Sequence, residues 1–251
     1  MNPRDLLVDL SRRLGDPARD AALLGEGNTS VRVGDAMLVK ASGAVLADAR
    51  PEDFVRVDLG EADVLIDDDA AGDADVEALF TRIASREGRR PSVEALLHAV
   101  VYEATGASVV AHSHPTHVNA LLCSERAHLL VDGALFPDQI VVLGDAPLLV
   151  PYIDPGLALA RSVRQLLRTH IDTHGEAPSV IYLRNHGMFA LGASVAQVLG
   201  ITAMAQKCAR VIIGAASVGG VRFMPSAEAE RIATRPDEKY RRALLAEEGA
   251  R

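Results

Sequence analysis

Ala107-Ser108-Val109-Val110-Ala111-His112-Ser113-His114-Pro115-Thr116-His117-Val118 runs from a β-branched stretch into two histidines and a proline. The β-branched residues favour an extended chain and the proline ends it, so residues 108–114 read as a strand finishing in a turn. Alternate residues of a strand face the same way. His112 and His114 therefore present two imidazoles side by side at a strand end, a two-point grip for a transition metal. Taken alone, the pair reads first as hydrogen-bonded surface histidines, and other residues have to decide.

Upstream, residues 92–103 carry apolar side chains at 93, 96, 97, 100 and 101 and read as a helix, residues 86–91 as a polar linker and 76–83 as another helix. Residues 3–14 form an amphipathic helix. Gly25-Glu26-Gly27-Asn28-Thr29-Ser30 then breaks the chain. Residues 31–33 and 37–40 are short strands joined by a Gly34-Asp35 hairpin turn, Ser42-Gly43 marks a second turn, and 54–57 is a third strand. Downstream, 116–123 is helical, 139–143 and 148–152 are strand candidates, and 157–167 is a helix. Residues 179–184 form a strand that ends in Asn185-His186-Gly187, with 188–191 pairing back beside it. A long Ala-rich helix covers 195–218, and the charged tail supplies one or two more helices over 227–248. Helices mixed with hairpins predict an α/β layered domain rather than a purely parallel doubly wound one. Neither repeats nor an internal boundary appear, so residues 1–251 read as one domain with a charged helical tail from about 226 to 251.

Composition sets limits on function. Aromatic residues make up 4% of the chain with no Trp, so the core is built from Leu, Val, Ala and Ile. Cys123 and Cys208 sit among apolar helical residues and read as core residues. The formal charge of −8 is local: residues 58–77 hold nine acids and no Lys or Arg, and without them the chain would stand at +1. Asp67-Asp68-Asp69 before Gly72 reads as a solvated loop rather than a cation site. The absence of a basic stripe or aromatic interleaving argues against nucleic acid. No leader pattern and no 18-residue apolar run are evident, so a soluble cytoplasmic protein away from membranes is expected.

His186 stands at a second strand end and offers a third imidazole, and three imidazoles with a position open make a catalytic rather than structural zinc arrangement. Glu94 follows Pro91-Ser92 in the first turn of a helix, where a carboxylate could ligate a metal or move a proton; alone, it reads as a capping-box acid. The Gly25–Ser30 glycines expose backbone N–H groups suited to an anion, but a strand follows them, so neither the P-loop nor the dinucleotide fingerprint applies. His98 and His117 could support the site from behind, but read first as packing or surface residues.

Gly27-Asn28-Thr29-Ser30, Ser42-Gly43, Pro91-Ser92-Val93-Glu94, His112-Ser113-His114-Pro115 and Asn185-His186-Gly187 stand in the order and spacing that resembles the class II aldolase/adducin family. That family holds L-fuculose- and L-rhamnulose-1-phosphate aldolases with epimerase and dehydratase siblings. The motif forms are most similar to the aldolase part of two-part rhamnulose-phosphate aldolase/alcohol dehydrogenase proteins. The resemblance implies a three-layer αβα sandwich on a mixed sheet, in a homotetramer. It implies Zn²⁺, with Mn²⁺ or Co²⁺ as alternatives, held by His112, His114 and His186, with Glu94 as acid/base. Asn28, Thr29, Ser42, Gly43 and Ser92 would surround the phosphate or other anionic end of a small sugar or sugar phosphate. The implied activity is cleavage of a C–C bond in a hydroxy-ketone, in which a dication stabilises the enediolate. Sibling epimerase, dehydratase or decarboxylase chemistry and an adducin-like binding protein are the alternatives. Three departures stand out. Val93 replaces the second serine of the fuculose-type motif, Glu26 adds an acid beside the anion loop, and Leu135-Phe136-Pro137-Asp138-Gln139 lacks that type's tyrosine, for which Tyr240 is the remaining candidate.

Overall fold

The computed structural model describes residues 2–238 and 240. Pro3–Leu14 (α1) opens the chain as expected: Asn2 caps it and Leu7, Leu10 and Leu14 line its buried face. Each fully buried leucine contributes about 1.5–3 kcal/mol. Asn28–Val33 (β1) and Ala36–Lys40 (β2) form the expected hairpin about Gly34, which takes a φ of +62°. Phe54–Asp58 (β3) pairs with β2. Leu59–Asp67 (α2), Asp73–Glu87 (α3) and Ala95–Ala104 (α4) precede Val109–Ser113 (β4). Then come Thr116–Leu122 (α5), Pro137–Leu143 (α6), Leu148–Val150 (β5) and Leu157–His174 (α7). Val180–Leu183 (β6), Gly187–Gly192 (β7), Val195–Ser217 (α8) and Ser226–Thr234 (α9) complete the described elements.

The seven strands form one sheet in the order β3-β2-β1-β4-β7-β6-β5, antiparallel except for the β5–β6 pair. Strand alternation divides its side chains between two layers. Val109, Ala111, Met188 and Ala190 pack with α1, α5 and α8. Val110, Phe189 and Leu191 pack with α2, α3, α4 and α7. The αβα sandwich implied by the resemblance is the observed architecture.

Several local expectations are corrected. Residues 139–143 are not a strand but most of α6: Pro137 starts the helix, Gln139 accepts from Leu135 N–H, and Ile140 packs on Ala134 and Ile232. Tertiary packing overrides the β-branched composition there. Residues 59–67, to which the sequence assigns no element, form α2, because Asp58 caps it, Ala62 and Ile66 are buried, and Arg164 pairs with Asp63 and Asp67; the loop expected of the acids follows at Asp68 and Asp69. The helix expected from 92 begins at Ala95. By length and composition α8 is apolar enough to cross a membrane, which the sequence reading did not anticipate; it lies along α5, α6 and β7 and buries nine residues on them. Of the charged tail, α9 is described, whereas 239 and 241–251 lie outside the described residues.

Candidate active site

β4 lies between β1 and β7, so both neighbours deliver residues to the end that carries the histidines. His112 pairs with Asn28 on one side and Phe189 on the other. His186 sits in the turn between β6 and β7, where Asn185 adopts a left-handed φ of +54° and Asn119 Nδ2 donates to the His186 carbonyl at 3.0 Å. Asparagine tolerates that conformation better than most residues. Gly187 leaves room for the cluster: a Cβ there would lie 2.5 Å from His114 Cδ2 and 2.6 Å from the Ser113 carbonyl. The potential ligand nitrogens of His112, His114 and His186 all lie within 4.8 Å of one another.

Glu94 is the N-cap of α4 rather than a first-turn residue, and its side chain makes no capping bond. It is buried, with Oε1 3.1 Å from His112 Nε2 and 2.8 Å from His186 Nε2. Burial pushes the Glu94 carboxyl up, but the charge and hydrogen bonding of His112 and then His186 outweigh it and hold the group well below the usual carboxylate range. Burial and then the His112 charge push His114 down to about 4, against the pull of Glu26.

The donor set fits a divalent metal. His112 Nδ1–H donates to the Met188 carbonyl at 3.0 Å, and His114 Nδ1–H donates to Glu26 Oε2 at 2.8 Å. With those hydrogens assigned by their acceptors, the two Nε2 atoms face each other 2.8 Å apart, and in the neutral imidazoles that bind metal both carry lone pairs. Two lone pairs at that separation repel, and a cation shared between them removes the conflict. An acceptor on the outer nitrogen of each histidine is the usual support of a metal-binding imidazole.

The other oxygen of Glu94 is held by Asn28, whose Nδ2 donates to Oε2 at 2.6 Å and to Ser92 Oγ at 3.1 Å. Asn28 Oδ1 accepts from His98 Nε2–H, so His98 Nδ1 accepts from Ser30 Oγ at 2.7 Å, and Ser30 in turn accepts from Tyr102 OH at 2.7 Å. Burial, foremost, pushes His98 down to about 3, which keeps it neutral in this chain. Glu94, His98 and Tyr102 follow one another at i, i+4 and i+8 along one face of α4. That spacing was available in the sequence and identifies His98 as a partner of the site rather than a packing residue.

The expected anion-binding residues divide. Asn28 and Ser92 reach the site, but the Asn28 amide is spent on Glu94, Ser92 and His98. Thr29 faces the opposite layer, as alternation along β1 requires, and its Oγ1 lies 2.7 Å from Ser11 Oγ. Its side chain is therefore removed from the anion set. Ser42 and Gly43 form an exposed turn beside Ser92, joined through the Ala41–Pro91 bridge and the Ser42 N–H to Arg90 carbonyl bond. Lys40 lies buried beneath that turn, donating from Nζ to the Ala44 carbonyl at 2.6 Å and the Gly25 carbonyl at 3.3 Å. Burial lowers its pKa, while the Glu94 and Asp53 charges oppose the shift. Glu26 points at His114 and away from any anion role. The region of Leu135 to Gln139 supplies no tyrosine to the histidines, and Tyr240 is exposed.

A family model described as the class II aldolase and adducin N-terminal domain matches residues 5–213. Methylthioribulose-1-phosphate dehydratase of Geobacillus kaustophilus is 30% identical over 184 residues, which cover 70% of this chain and 75% of that protein. A "Probable bifunctional methylthioribose-1-phosphate isomerase/methylthioribulose-1-phosphate dehydratase" of Nocardia farcinica is 28% identical over 68% of this chain; the chain spans only 28% of its length. Among solved structures, L-fuculose-1-phosphate aldolase of Thermus thermophilus superposes with a TM-score of 0.62 at 24% identity, covering 88% of this chain and 99% of that one. Another L-fuculose 1-phosphate aldolase gives 0.68 at 19% identity, covering 96% of each chain.

Proposed function

The chain belongs to the class II aldolase and adducin family, and we propose that it is a zinc-dependent lyase that cleaves a C–C bond of a small hydroxy-ketone with an anionic end, a ketose 1-phosphate. The observation that carries this reading is the convergence of three imidazoles, two of which lie within 3.1 Å of one oxygen of a buried carboxylate whose other oxygen is tied down. His112, His114 and His186 would hold the metal. A divalent cation there supplies Lewis-acid stabilisation of the negative charge that builds on the substrate oxygens as the bond breaks. Glu94 has Oε2 fixed by Asn28, so Oε1 is the atom at which it takes up and returns a proton. The Ser42-Gly43 turn and Ser92 offer donors to the anionic end, and Lys40 beneath them favours negative charge.

A second reading, loss of water from the same activated ketone, is favoured by the names of the curated relatives. Both reactions need the metal, Glu94 and a fixed anion, and they differ in the bond that breaks. A screen of ketose 1-phosphates and their unphosphorylated analogues, read for aldehyde release and for dehydrated product, tests both. Aldehyde release that disappears in E94A and H114A, with zinc lost from H114A, is the expected result. Full activity and metal content in either variant would overturn the proposal.

A further inference from the structure

An acid beside an anion loop is out of place, and the structure gives Glu26 another occupation. Its Oε2 lies 2.8 Å from His114 Nδ1, and its Oε1 accepts from Leu23 N–H at 2.6 Å. Glu26 N–H donates back to the Leu23 carbonyl at 3.1 Å, so the 23–26 turn is closed from both ends. Both carboxylate oxygens are thereby committed.

The loop that carries Glu26 is anchored on one side to the end of the histidine strand and the start of α5, and on the other to β2. His114 N–H donates to the Ala21 carbonyl at 2.8 Å, Thr116 Oγ1 donates to Asp20 Oδ1 at 2.8 Å, and Lys40 reaches the Gly25 carbonyl. Gly27, at a φ of +71°, passes so close to the His112 carbonyl that a Cβ would lie 2.9 Å from it. Leu24 is held at a φ of +52°, a left-handed conformation that bulky residues avoid, and is left exposed. The segment thus keeps an unfavourable backbone while delivering one carboxylate to one imidazole.

We propose that Glu26 is the positioning residue of the metal centre: its carboxylate fixes His114 as the Nδ1–H tautomer, aims the Nε2 lone pair at the metal and sets how tightly the three imidazoles hold it. The proposal rests on the metal-binding reading above. His112 is oriented by the Met188 carbonyl, part of the sheet itself, whereas among the described residues His114 alone of the three has a carboxylate on its outer nitrogen. A carboxylate in that position makes the imidazole a stronger donor to the metal, and its loss typically weakens binding about 10–100-fold. The same assignment resolves the misfit at the anion end, since the charge of Glu26 is turned to His114.

The test uses the full chain stripped of metal, with zinc affinity measured by competition with a chromogenic chelator for the parent, E26A, and E26A with added formate. The imidazole nitrogens of metal-free His114 are followed by NMR. E26A is expected to bind zinc about 10–100-fold more weakly, His114 to lose its single Nδ1–H tautomer, and formate to restore part of the affinity in E26A but not to raise it in the parent. E26Q keeps the side-chain size but has one oxygen for two donors, so it is expected to lose affinity as well; it serves if E26A fails to fold. An E26A or E26Q chain with parental zinc affinity and an unchanged His114 tautomer would overturn the role of Glu26 alone. A parent chain that binds no zinc would overturn the proposed function, and with it the need for a positioning residue.

Discussion

Asn28 and Glu94 come from segments 66 residues apart and meet through a 2.6 Å bond from the amide Nδ2 to Oε2, in the interior of the protein. The amide is oriented from behind by His98 and leaves Oε1 of Glu94 to the histidines. Replacing Asn28 by Leu removes a donor from a buried carboxylate and an acceptor from a buried imidazole. Each buried group left without a partner costs about 1–3 kcal/mol. N28L is expected to melt well below the parent, and what activity remains should be disproportionately low for its zinc content. Thermal unfolding and metal analysis on the same sample check both.

Stability should depend on His98 in a defined pH window. Its folded pKa of about 3 lies below the unfolded value near 6.5, so the unfolded chain binds the proton first as pH falls. The stabilising contribution is complete above 6.5 and declines toward pH 3, by about 1.4 kcal/mol per unit at most. The depressed His114 acts in the same direction, so the comparison has to be with H98Q, which keeps it. Urea unfolding from about pH 7 to 5 is expected to show a steeper loss for the parent than for H98Q; equal slopes would contradict a neutral buried His98.

Gly187 is required by proximity, not by backbone angle, since any Cβ would strike His114 and the Ser113 carbonyl. G187A is expected to lose about 1–3 kcal/mol of stability as an overpacked site does. It should also release zinc more readily than the parent, because the displaced group is one of the three proposed ligand imidazoles. A melting curve alone does not separate the two effects; a chelator titration does.

Thr29 provides the opposite case, a residue of the family motif whose hydroxyl serves the fold. T29V strands the buried Ser11 hydroxyl, which shares a 2.7 Å hydrogen bond with it, and should cost about 1–3 kcal/mol. The double variant S11A/T29V removes both partners and should recover most of the loss. Zinc affinity is expected to be unchanged in both; a marked fall in affinity for T29V would return Thr29 to the site.

The two cysteines should differ sharply toward a thiol reagent. Cys123 is exposed, whereas Cys208 is buried in α8, and burial pushes its thiol up to about 12. One thiol per chain is expected to react in the folded protein and the second only on unfolding. Rapid reaction of both would mean that the α8 core opens readily.

Much of the site was legible because its chemistry is written locally. The β-branched run into His112-Ser113-His114-Pro115 specifies a strand end, and alternation puts both imidazoles on one face without knowledge of any neighbour. The Gly34-Asp35 hairpin and α1 are equally local. The sequence is misleading or silent where a partner distant in sequence decides: α6 is a helix where Ile140 packs on Ala134 and Ile232, and α2, unassigned from sequence, has its acids paired by Arg164. His98 reads first as a packing or surface residue because its i+4 relation to Glu94 becomes informative only once Glu94 is known to face inward.

By itself, then, the sequence determined the inventory of imidazoles, carboxylates and turn residues, and the strand and turn that present the first two histidines. Tertiary structure decided which of them meet. The sheet order places β1 and β7 on either side of β4, so Asn28 and His186 arrive at His112 from opposite directions, and Glu26 reaches His114 across 88 residues of chain. The same alternation sends Asn28 to Glu94 and its neighbour Thr29 to Ser11. Strand propensity is indifferent to which face becomes the site; that choice belongs to pairing register, where a slip of one residue would exchange the two.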